Sequence, residues 1–357
     1  MKKAEAFKVI ECRGNSYEIG LQSGEGCREN IRQAMEMTFG GLAYAHSTTK
    51  DQIIEKALLF LPKVKDFDPE LVELLRGQAE GAGLTFEEVF ALKCGFDLGA
   101  YYKQIAGLCT SFAATGAATA SGKTLLGQNI DWFPGSPMDL LKIVHSDGVT
   151  QLSLVLWGIV EYTLSSSGFG MCANGTWVVA ENCLLNLPVG CYLPKVMRQR
   201  TLGEAMGILR NTARGLGYYH LASAEKEMIG IESTQDDYQL LSSNREMLIH
   251  SNHYLTDRFK PIDLVNVLIP DSLERIETIK RLMNDHYGKI TPATMMSILA
   301  DHENHPYSIC RHVDETKPPQ FHSETIASYI MVPEDKIMFI AKGNPCQNGY
   351  LEYRMEN

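Results

Sequence analysis

The spacing of hydrophobic residues changes near residue 109, from helical periodicity to short apolar runs. Upstream, Asp68 and Pro69 predict a helix start, because Asp is a good N-cap and Pro suits the first helical position. Thr85 and Glu88 form a predicted capping box for the next helix. Residues 29–37 and 52–60 are predicted as further helices. The first hundred residues should therefore be mainly helical.

The rest of the chain has the apolar runs that are typical of strands. We predict strands at residues 124–131, 152–158, 177–182, 228–233 and 248–252, and a hairpin formed by 325–332 and 336–341. Helices are predicted at 202–211, 272–286 and 292–300. This order predicts an α+β fold, with helices covering sheets that carry the chemistry.

Two polar motifs lie where this change occurs. Cys109 is followed by Thr-Ser-Phe, and about twenty residues later a Gly-Gln-Asn-Ile segment leads to Asp131 and Trp132. The small and turn-forming residues between them predict two short strands joined by a turn, which would bring Cys109 close to Asp131. A thiol beside a carboxylate can be reactive, although a buried structural cysteine is the alternative.

A cysteine nucleophile needs a base, oxyanion donors and a substrate site. A papain-type enzyme would use a histidine, here His250 or His312, and would place the cysteine at the start of a helix. The residues after Cys109 instead favour a strand. The other solution uses the free α-amino group of the cysteine as base, since its pKa is about 7.7–8.0. That solution requires cleavage of the Leu108–Cys109 bond.

Five ordered motifs carry a family resemblance that spans nearly the whole chain. They are an Arg-Gly-Asn-Ser-Tyr-Glu-Ile-Gly opening at 13–20, the helix at 73–83, the two polar motifs at 109–112 and 127–132, Gly-Phe-Gly-Met at 168–171, and His-Ser-Asn-His at 250–253 together with Ser-Ile-Cys-Arg-His at 308–312. With them, the chain resembles the acyl-coenzyme A:6-aminopenicillanic acid acyltransferases, N-terminal nucleophile hydrolases related to the choloylglycine (bile salt and penicillin V) hydrolases. The resemblance implies an αββα sandwich of two mainly antiparallel sheets flanked by helices.

The resemblance also implies a self-processing nucleophile. Residues 1–108 would be a pro-segment that stays bound as a small chain, and 109–357 would be the catalytic chain beginning at Cys109. Asp131 would anchor and orient the new α-amine. Leu108 occupies a position where glycine often precedes the cysteine, so a bulkier residue there could slow cleavage by straining the backbone.

Three further residues receive roles by resemblance alone. Asn252 would donate its side-chain amide to the oxyanion, and Asn182 matches the choloylglycine-type asparagine near the same oxygen. Arg311 resembles an active-site arginine that stabilises the region around the nucleophile. Without the resemblance, these would be a turn residue, a strand-end cap and a surface ion-pair residue.

The implied reaction transfers an acyl group from a small amide or thioester to Cys109 and then to water or an amine. An N-acyl amino acid or a penicillin-like amide is the expected substrate, with hydrolysis favoured over transfer. Two alternatives stay open: a non-enzymatic binding protein with Cys109 unprocessed, and the papain-type hydrolase. The sequence does not specify the acyl group, the amine or the oligomeric state, and a homo-oligomer stays open.

Charge and cysteine use exclude other classes of function. The net charge is −10 with no basic run, which argues against a nucleic-acid partner. The sequence contains no run of about 18 apolar residues, so we predict no membrane span. Nine scattered cysteines do not form a disulfide framework, so we expect reduced thiols and a cytoplasmic protein. His302 and His305 lack an accompanying Cys-x-x-Cys pair, and we predict neither a metal nor a cofactor.

Overall fold

The computed structural model describes residues 4–101, 108–178, 186–211, 217–234 and 236–355. Its helices are α1 (Ser16–Gly26), α2 (Arg28–His46), α3 (Lys50–Leu58), α4 (Leu61–Phe67), α5 (Pro69–Ala82), α6 (Phe86–Lys93), α7 (Gly95–Tyr101), α8 (Val189–Met197), α9 (Leu202–Asn211), α10 (Val265–Leu268), α11 (Asp271–Asp285) and α12 (Pro292–Leu299). Within these residues, none of the helices is both long enough and apolar enough to cross a bilayer.

The strands form two sheets. They are β1 (Val9–Gly14), β2 (Leu108–Ala114), β3 (Leu125–Trp132), β4 (Met138–His145), β5 (Thr150–Leu156), β6 (Val160–Ser165), β7 (Phe169–Asn174), β8 (Gly217–Ser223), β9 (Met228–Ser233), β10 (Tyr238–Ser242), β11 (Met247–His250), β12 (Glu324–Val332), β13 (Ile337–Lys342) and β14 (Leu351–Arg354). One sheet has the order β1-β4-β5-β6-β7-β8-β9-β10, and the other has the order β11-β2-β3-β12-β13-β14. All strand pairs are antiparallel except β1 with β4.

The elements stack in four layers, which confirms the predicted αββα sandwich. Helices α1, α8 and α9 contact the eight-stranded sheet, and α11 and α12 contact the six-stranded sheet. The sheets meet where β2 and β3 contact β7. Gln128 of β3 exchanges two hydrogen bonds with the backbone of Ala173 in β7, at 2.9 and 3.2 Å. This buried polar link fixes the register between the sheets in addition to apolar packing.

Local signals explain the helices that were predicted best. The Asp68 side chain accepts a hydrogen bond from Leu71 N at 3.3 Å, Pro69 is the first residue of α5, and Gly83 ends the helix with φ +67. Thr85 forms a complete capping box with Glu88 at the start of α6. Both helix starts were predicted correctly, because capping depends only on neighbouring residues.

Glycines allow α1 and α5 to cross with their backbones in contact. A Cβ atom on Gly77 would lie 2.1 Å from Tyr17 O, and one on Gly20 would lie 1.9 Å from Leu74 O. Gly24 and Gly81 make the same kind of approach one turn further along each helix. The two N-terminal motifs of the family resemblance therefore include the contact surface of one helix pair.

The first hundred residues are mainly helical, as predicted, but they also contain one strand that the sequence did not predict. Val9–Gly14 forms β1, which pairs parallel with β4 at the edge of the eight-stranded sheet. The alternation of buried Cys12 with exposed Glu11 and Arg13 was a strand signal, but its partner lies more than 120 residues away. The segment 1–108 thus contributes a strand to a sheet made by 109–357.

Downstream predictions are mostly confirmed. Helix α9 and strand β9 have the predicted bounds, and the hairpin of β12 and β13 turns at Pro333–Asp335. The first two residues of the strand predicted at 177–182 are not in a strand. Trp177 is in coil, and Val178 forms only an isolated bridge with Asp263. The remainder of that prediction, including Asn182, lies outside the described residues.

Candidate active site

The β2–β3 hairpin holds the two residues that the sequence singled out. Cys109 is the second residue of β2, and the half-buried Leu108 is its first. Leu108 lies opposite Asp131 across the antiparallel pair, and Thr325 of β12 lies opposite Asp131 on its other side. The predicted hairpin is confirmed, and Asp131 occupies a central strand beside the Leu108–Cys109 bond.

The backbone of Cys109 is held on both sides of the residue. Its N–H donates to Asn252 Oδ1 at 2.8 Å. Its carbonyl oxygen accepts from Arg275 Nη1 at 2.8 Å and from Asn174 Nδ2 at 3.4 Å. Each contact comes from a different element, so three segments distant in sequence fix the position of this one residue.

The thiol of Cys109 is buried, and its pKa is raised above the ordinary value. Cys109 is 2% exposed. Burial raises the pKa of its thiol and the negative charge of Asp131 raises it further, although Arg275 opposes both effects. A protonated thiol is a weak nucleophile, so Cys109 needs a nearby base before it can react at neutral pH.

Asn252 connects Cys109 to α11. Two donors, Cys109 N and Arg275 Nη2, converge on its Oδ1 atom at 2.8 Å each, which fixes the orientation of the amide. Its Nδ2 donates to Gly175 O at 3.0 Å, and its backbone N–H donates to Ser272 Oγ at 2.8 Å. The acceptor atom of Asn252 therefore faces the nitrogen that would become the α-amine.

Asp131 offers a buried carboxylate oxygen. Its Oδ1 accepts from Thr325 Oγ1 at 2.6 Å, and its Oδ2 lies 3.7 Å from Arg311 Nε. Among the residues that the structure describes, Oδ2 has no hydrogen-bond partner. Burial raises the pKa of Asp131 to about 6, although Arg311, Arg275 and Thr325 oppose the effect. A buried oxygen without a hydrogen bond is costly, so Oδ2 is suited to an N–H donor in addition to the Arg311 cation 3.7 Å away.

Arg311 is a buried member of this site rather than a surface residue. It is 2% exposed and forms an ion pair with Asp271. Its backbone N–H donates to Thr325 Oγ1 at 2.9 Å, so Thr325 contacts both Arg311 and Asp131. Its sequence neighbours Cys310 and His312 belong to a group of four imidazole and thiol side chains that could hold a metal ion.

Sequence reasoning missed the arginine that makes the most contacts with this site. Arg275 is 1% exposed and reaches Cys109 O, Thr110 Oγ1 at 2.7 Å and Asn252 Oδ1 through its fork of donors. Its Nε donates to Asp271 Oδ2 at 2.8 Å. Burial would raise the pKa of Asp271, but Arg275 and Arg311 hold it below the ordinary value. Two arginines and two aspartates thus balance charge inside the protein.

The structure brings Cys109, Asp131, Asn252 and Arg311 into one connected network. Asn182 lies outside the described residues, so its predicted role stays a prediction. Asn174, at the end of β7, was not predicted. Its Oδ1 accepts from Ser111 Oγ at 2.8 Å, and its Nδ2 reaches the carbonyl of Cys109. Only its position at a strand end could have indicated this role.

A family model described as acyl-coenzyme A:6-aminopenicillanic acid acyl-transferase matches residues 118–347. This span contains Asp131, Asn252 and Arg311 and begins downstream of Cys109. The assignment of Cys109 therefore depends on its contacts and not on the matched span.

Solved structures of two other proteins are similar to the chain. A conjugated bile acid hydrolase from Clostridium perfringens, solved in two variant forms, is 12% and 13% identical, with TM-scores of 0.47 and 0.43. Each alignment covers 69% of this chain, and 96% and 97% of the hydrolase. Penicillin V acylase from Agrobacterium tumefaciens is 12% identical with a TM-score of 0.41, over 66% of this chain and 83% of the acylase.

Proposed function

Because the chain belongs to the acyl-coenzyme A:6-aminopenicillanic acid acyltransferase family, we propose that it is a self-processing amidohydrolase or acyltransferase with Cys109 as nucleophile. One observation carries the proposal. The backbone nitrogen of Cys109 is bound by Asn252 Oδ1, in a site that also contains Asp131 Oδ2, which accepts no hydrogen bond from the described residues. An α-amine formed at this nitrogen would have an acceptor and a buried counter-charge ready for it.

Processing would begin with an N-to-S acyl shift. Cys109 Sγ adds to the carbonyl carbon of Leu108, the C–N bond breaks, and the nitrogen takes up the thiol proton. Water then hydrolyses the resulting thioester: its oxygen enters the Leu108 carboxylate, one of its protons goes to sulfur and the other goes to the α-amine. The products are the chains 1–108 and 109–357. Atoms balance with water as the only co-reactant.

The processed residue would supply both attacker and base. The free α-amine takes the thiol proton as sulfur attacks the substrate carbonyl. It passes this proton to the amine of the substrate, which leaves as the C–N bond breaks and an acyl-Cys109 forms. Asp131 holds the α-amine electrostatically. Asn252 Nδ2 donates to the oxyanion, with Asn182, when the substrate carbonyl takes the place of Gly175 O, while Asn252 Oδ1 stays on the Cys109 nitrogen. Arg311 keeps Asp131 in place.

The 1–108 chain would stay bound after cleavage. Strand β1 is paired with β4, and α1 contacts both strands. Residues from both sides of Cys109 share one buried apolar core. Separation of the chains would expose this core to water, so we expect them to co-purify and to part only in denaturant.

The substrate class comes from the family description, which names 6-aminopenicillanic acid. We propose small linear carboxamides, either N-acyl amino acids or penicillin-like amides. Water is the proposed acceptor because it is always present, and an amine acceptor would turn the same acyl-enzyme into a transferase.

The papain-type alternative has weaker support. The buried His250 uses Nδ1 for Ser251 O at 2.8 Å and Nε2 for Glu232 Oε1 at 2.9 Å, so both ring nitrogens are engaged. His312 Nε2 lies among His302, Cys310 and Cys346. Among the described residues, neither imidazole contacts the Cys109 thiol.

Turnover of penicillin V and a panel of N-acyl amino acids tests the proposal. Purified protein should release the amine product, and brief incubation should leave one acyl group on the 109–357 chain. Cys109→Ala should show neither effect, and Cys109→Ser should turn over poorly. If the protein binds these amides without turnover and Cys109→Ala binds them equally well, it is a binding protein and the proposal is wrong.

A further inference from the structure

Two histidines and two cysteines converge beside Arg311, outside the machinery described above. Nε2 of His302 lies 3.0 Å from Nε2 of His312, Cys346 Sγ lies 3.4 Å from the same atom, and Cys310 Sγ lies 3.7 Å from it. All four of these nitrogen and sulfur atoms lie within 4.8 Å of one another. None of these four residues contacts the substrate in the proposed mechanism.

The three separations to His312 Nε2 are close to those of a tetrahedral metal site, and the other three are at most 4.8 Å. With zinc–sulfur bonds of about 2.3 Å and zinc–nitrogen bonds of about 2.0–2.1 Å, neighbouring ligands in a tetrahedron lie about 3.3–3.8 Å apart. The three observed contacts fall within a few tenths of an ångström of that range. Two thiols and two imidazoles are also a donor set that zinc favours in structural sites.

The surroundings of Cys310 suit a thiolate ligand. Asn344 Nδ2 lies 3.7 Å from Cys310 Sγ, and the backbone N–H of Cys346 also donates to it. N–H donors of this kind orient a metal-bound sulfur and offset its charge. Asn344 Nδ2 also donates to Arg311 O at 2.7 Å, so one amide connects the cysteine to the backbone of the arginine.

We propose that His302, Cys310, His312 and Cys346 form a structural zinc site. The ligands come from two segments: His302, Cys310 and His312 from the connection between α12 and β12, and Cys346 from the turn after β13. The metal would join these segments in place of a long-range packing contact. Because Cys310 and His312 are on either side of Arg311, it would also fix the backbone that directs Arg311 toward Asp131 and Asp271.

No metal site was predicted from the sequence, because that prediction looked for pairs of ligands a few positions apart. Here His302 and Cys346 are 44 positions apart in numbering, and only the Cys-x-His at 310–312 is local. The neighbouring His305 is a natural comparison, since its ring centroid lies 5.1 Å from that of His312 but it is outside the group.

The test uses the full chain carrying Cys109→Ala, so that neither processing nor the Cys109 thiol contributes. Protein purified under reducing conditions should contain one zinc per chain by elemental analysis. After removal of zinc, added cobalt(II) should give the visible bands of a tetrahedral ion and a thiolate charge-transfer band. Cys346→Ser and His302→Ala should lose the metal, and His305→Ala should keep it. Asn344→Ala should weaken zinc affinity about 10–100-fold.

Three outcomes would overturn the proposal. The first is a protein that is folded by circular dichroism but contains well below one zinc per chain, even after zinc is added. Retention of the metal by Cys346→Ser is the second. The third is a Cys310–Cys346 disulfide, detected as the loss of two hydrogens, in protein purified under reducing conditions. None of these outcomes bears on whether Cys109 is a nucleophile.

Discussion

Replacing Arg275 with methionine should destabilise the protein strongly, because Arg275 is a buried charge with several hydrogen-bond partners. Arg275 bonds to Asp271, Thr110 and the carbonyl of Cys109, and it shares Asn252 Oδ1 with the Cys109 N–H. Removing one partner from a buried ion pair costs about 3–5 kcal/mol, because the other charge stays desolvated. This corresponds to roughly a 10²–10⁴-fold smaller folding constant.

The matched control is Arg281→Met on the same helix. Arg281 pairs with Glu303, but its side chain is 51% exposed, and exposed ion pairs contribute only about 0–1 kcal/mol. Urea unfolding of both variants in a Cys109→Ala background compares them without processing. Arg275→Lys should fall between them, since lysine keeps the charge but loses the fork of donors. A Met variant at 275 that unfolds within about 1 kcal/mol of the variant at 281 would refute the network described here.

The other predictions concern packing and pH. Gly77→Ala should destabilise the protein by about 1–3 kcal/mol, because its Cβ would meet Tyr17 O, whereas Gly40→Ala, with no atom within 4 Å, should be neutral or stabilising in urea unfolding. Asp131, whose pKa is raised to about 6, favours its protonated form when folded, so its contribution to stability is present below pH ~4 and lost as pH rises through about 6. In the uncleaved Cys109→Ala background, the free energy of unfolding of the Asp131→Asn variant, minus that of the protein with Asp131, should therefore rise with pH over this window by up to about 3 kcal/mol. A difference that does not change with pH would contradict the burial argument. In processed enzyme, Asp131→Asn should move the acidic limb of kcat/KM to lower pH, because losing a nearby carboxylate lowers the pKa of the α-amine; an unmoved limb would exclude the amine as base.

The fold was predictable where local chemistry decides it. Asp68-Pro69 and Thr85 specify helix starts through caps formed within four residues, and the apolar runs of β9 and β12 identify strands directly. Strand β1 was missed because six residues next to helical sequence give a weak signal and the pairing partner is distant. The layering of the two sheets came from the family resemblance, since spacing alone specified only α+β.

The site was predictable where a motif carried it. Cys109, Asp131, Asn252 and Arg311 are in recognisable segments, and the structure brings them together. Arg275 could not be separated from Arg281 by sequence, because both are basic residues on one charged helix and only packing buries the first. The His and Cys group was missed for a related reason: its members become neighbours only after the chain has folded.

Intact mass of the purified full-length chain tests the central claim most directly. We predict two co-purifying polypeptides, residues 1–108 and 109–357, and a single 39.8 kDa chain for Cys109→Ala. An uncut 39.8 kDa protein, or cleavage at the same bond in the alanine variant, would contradict the account, because Cys109 would then not liberate its own amine.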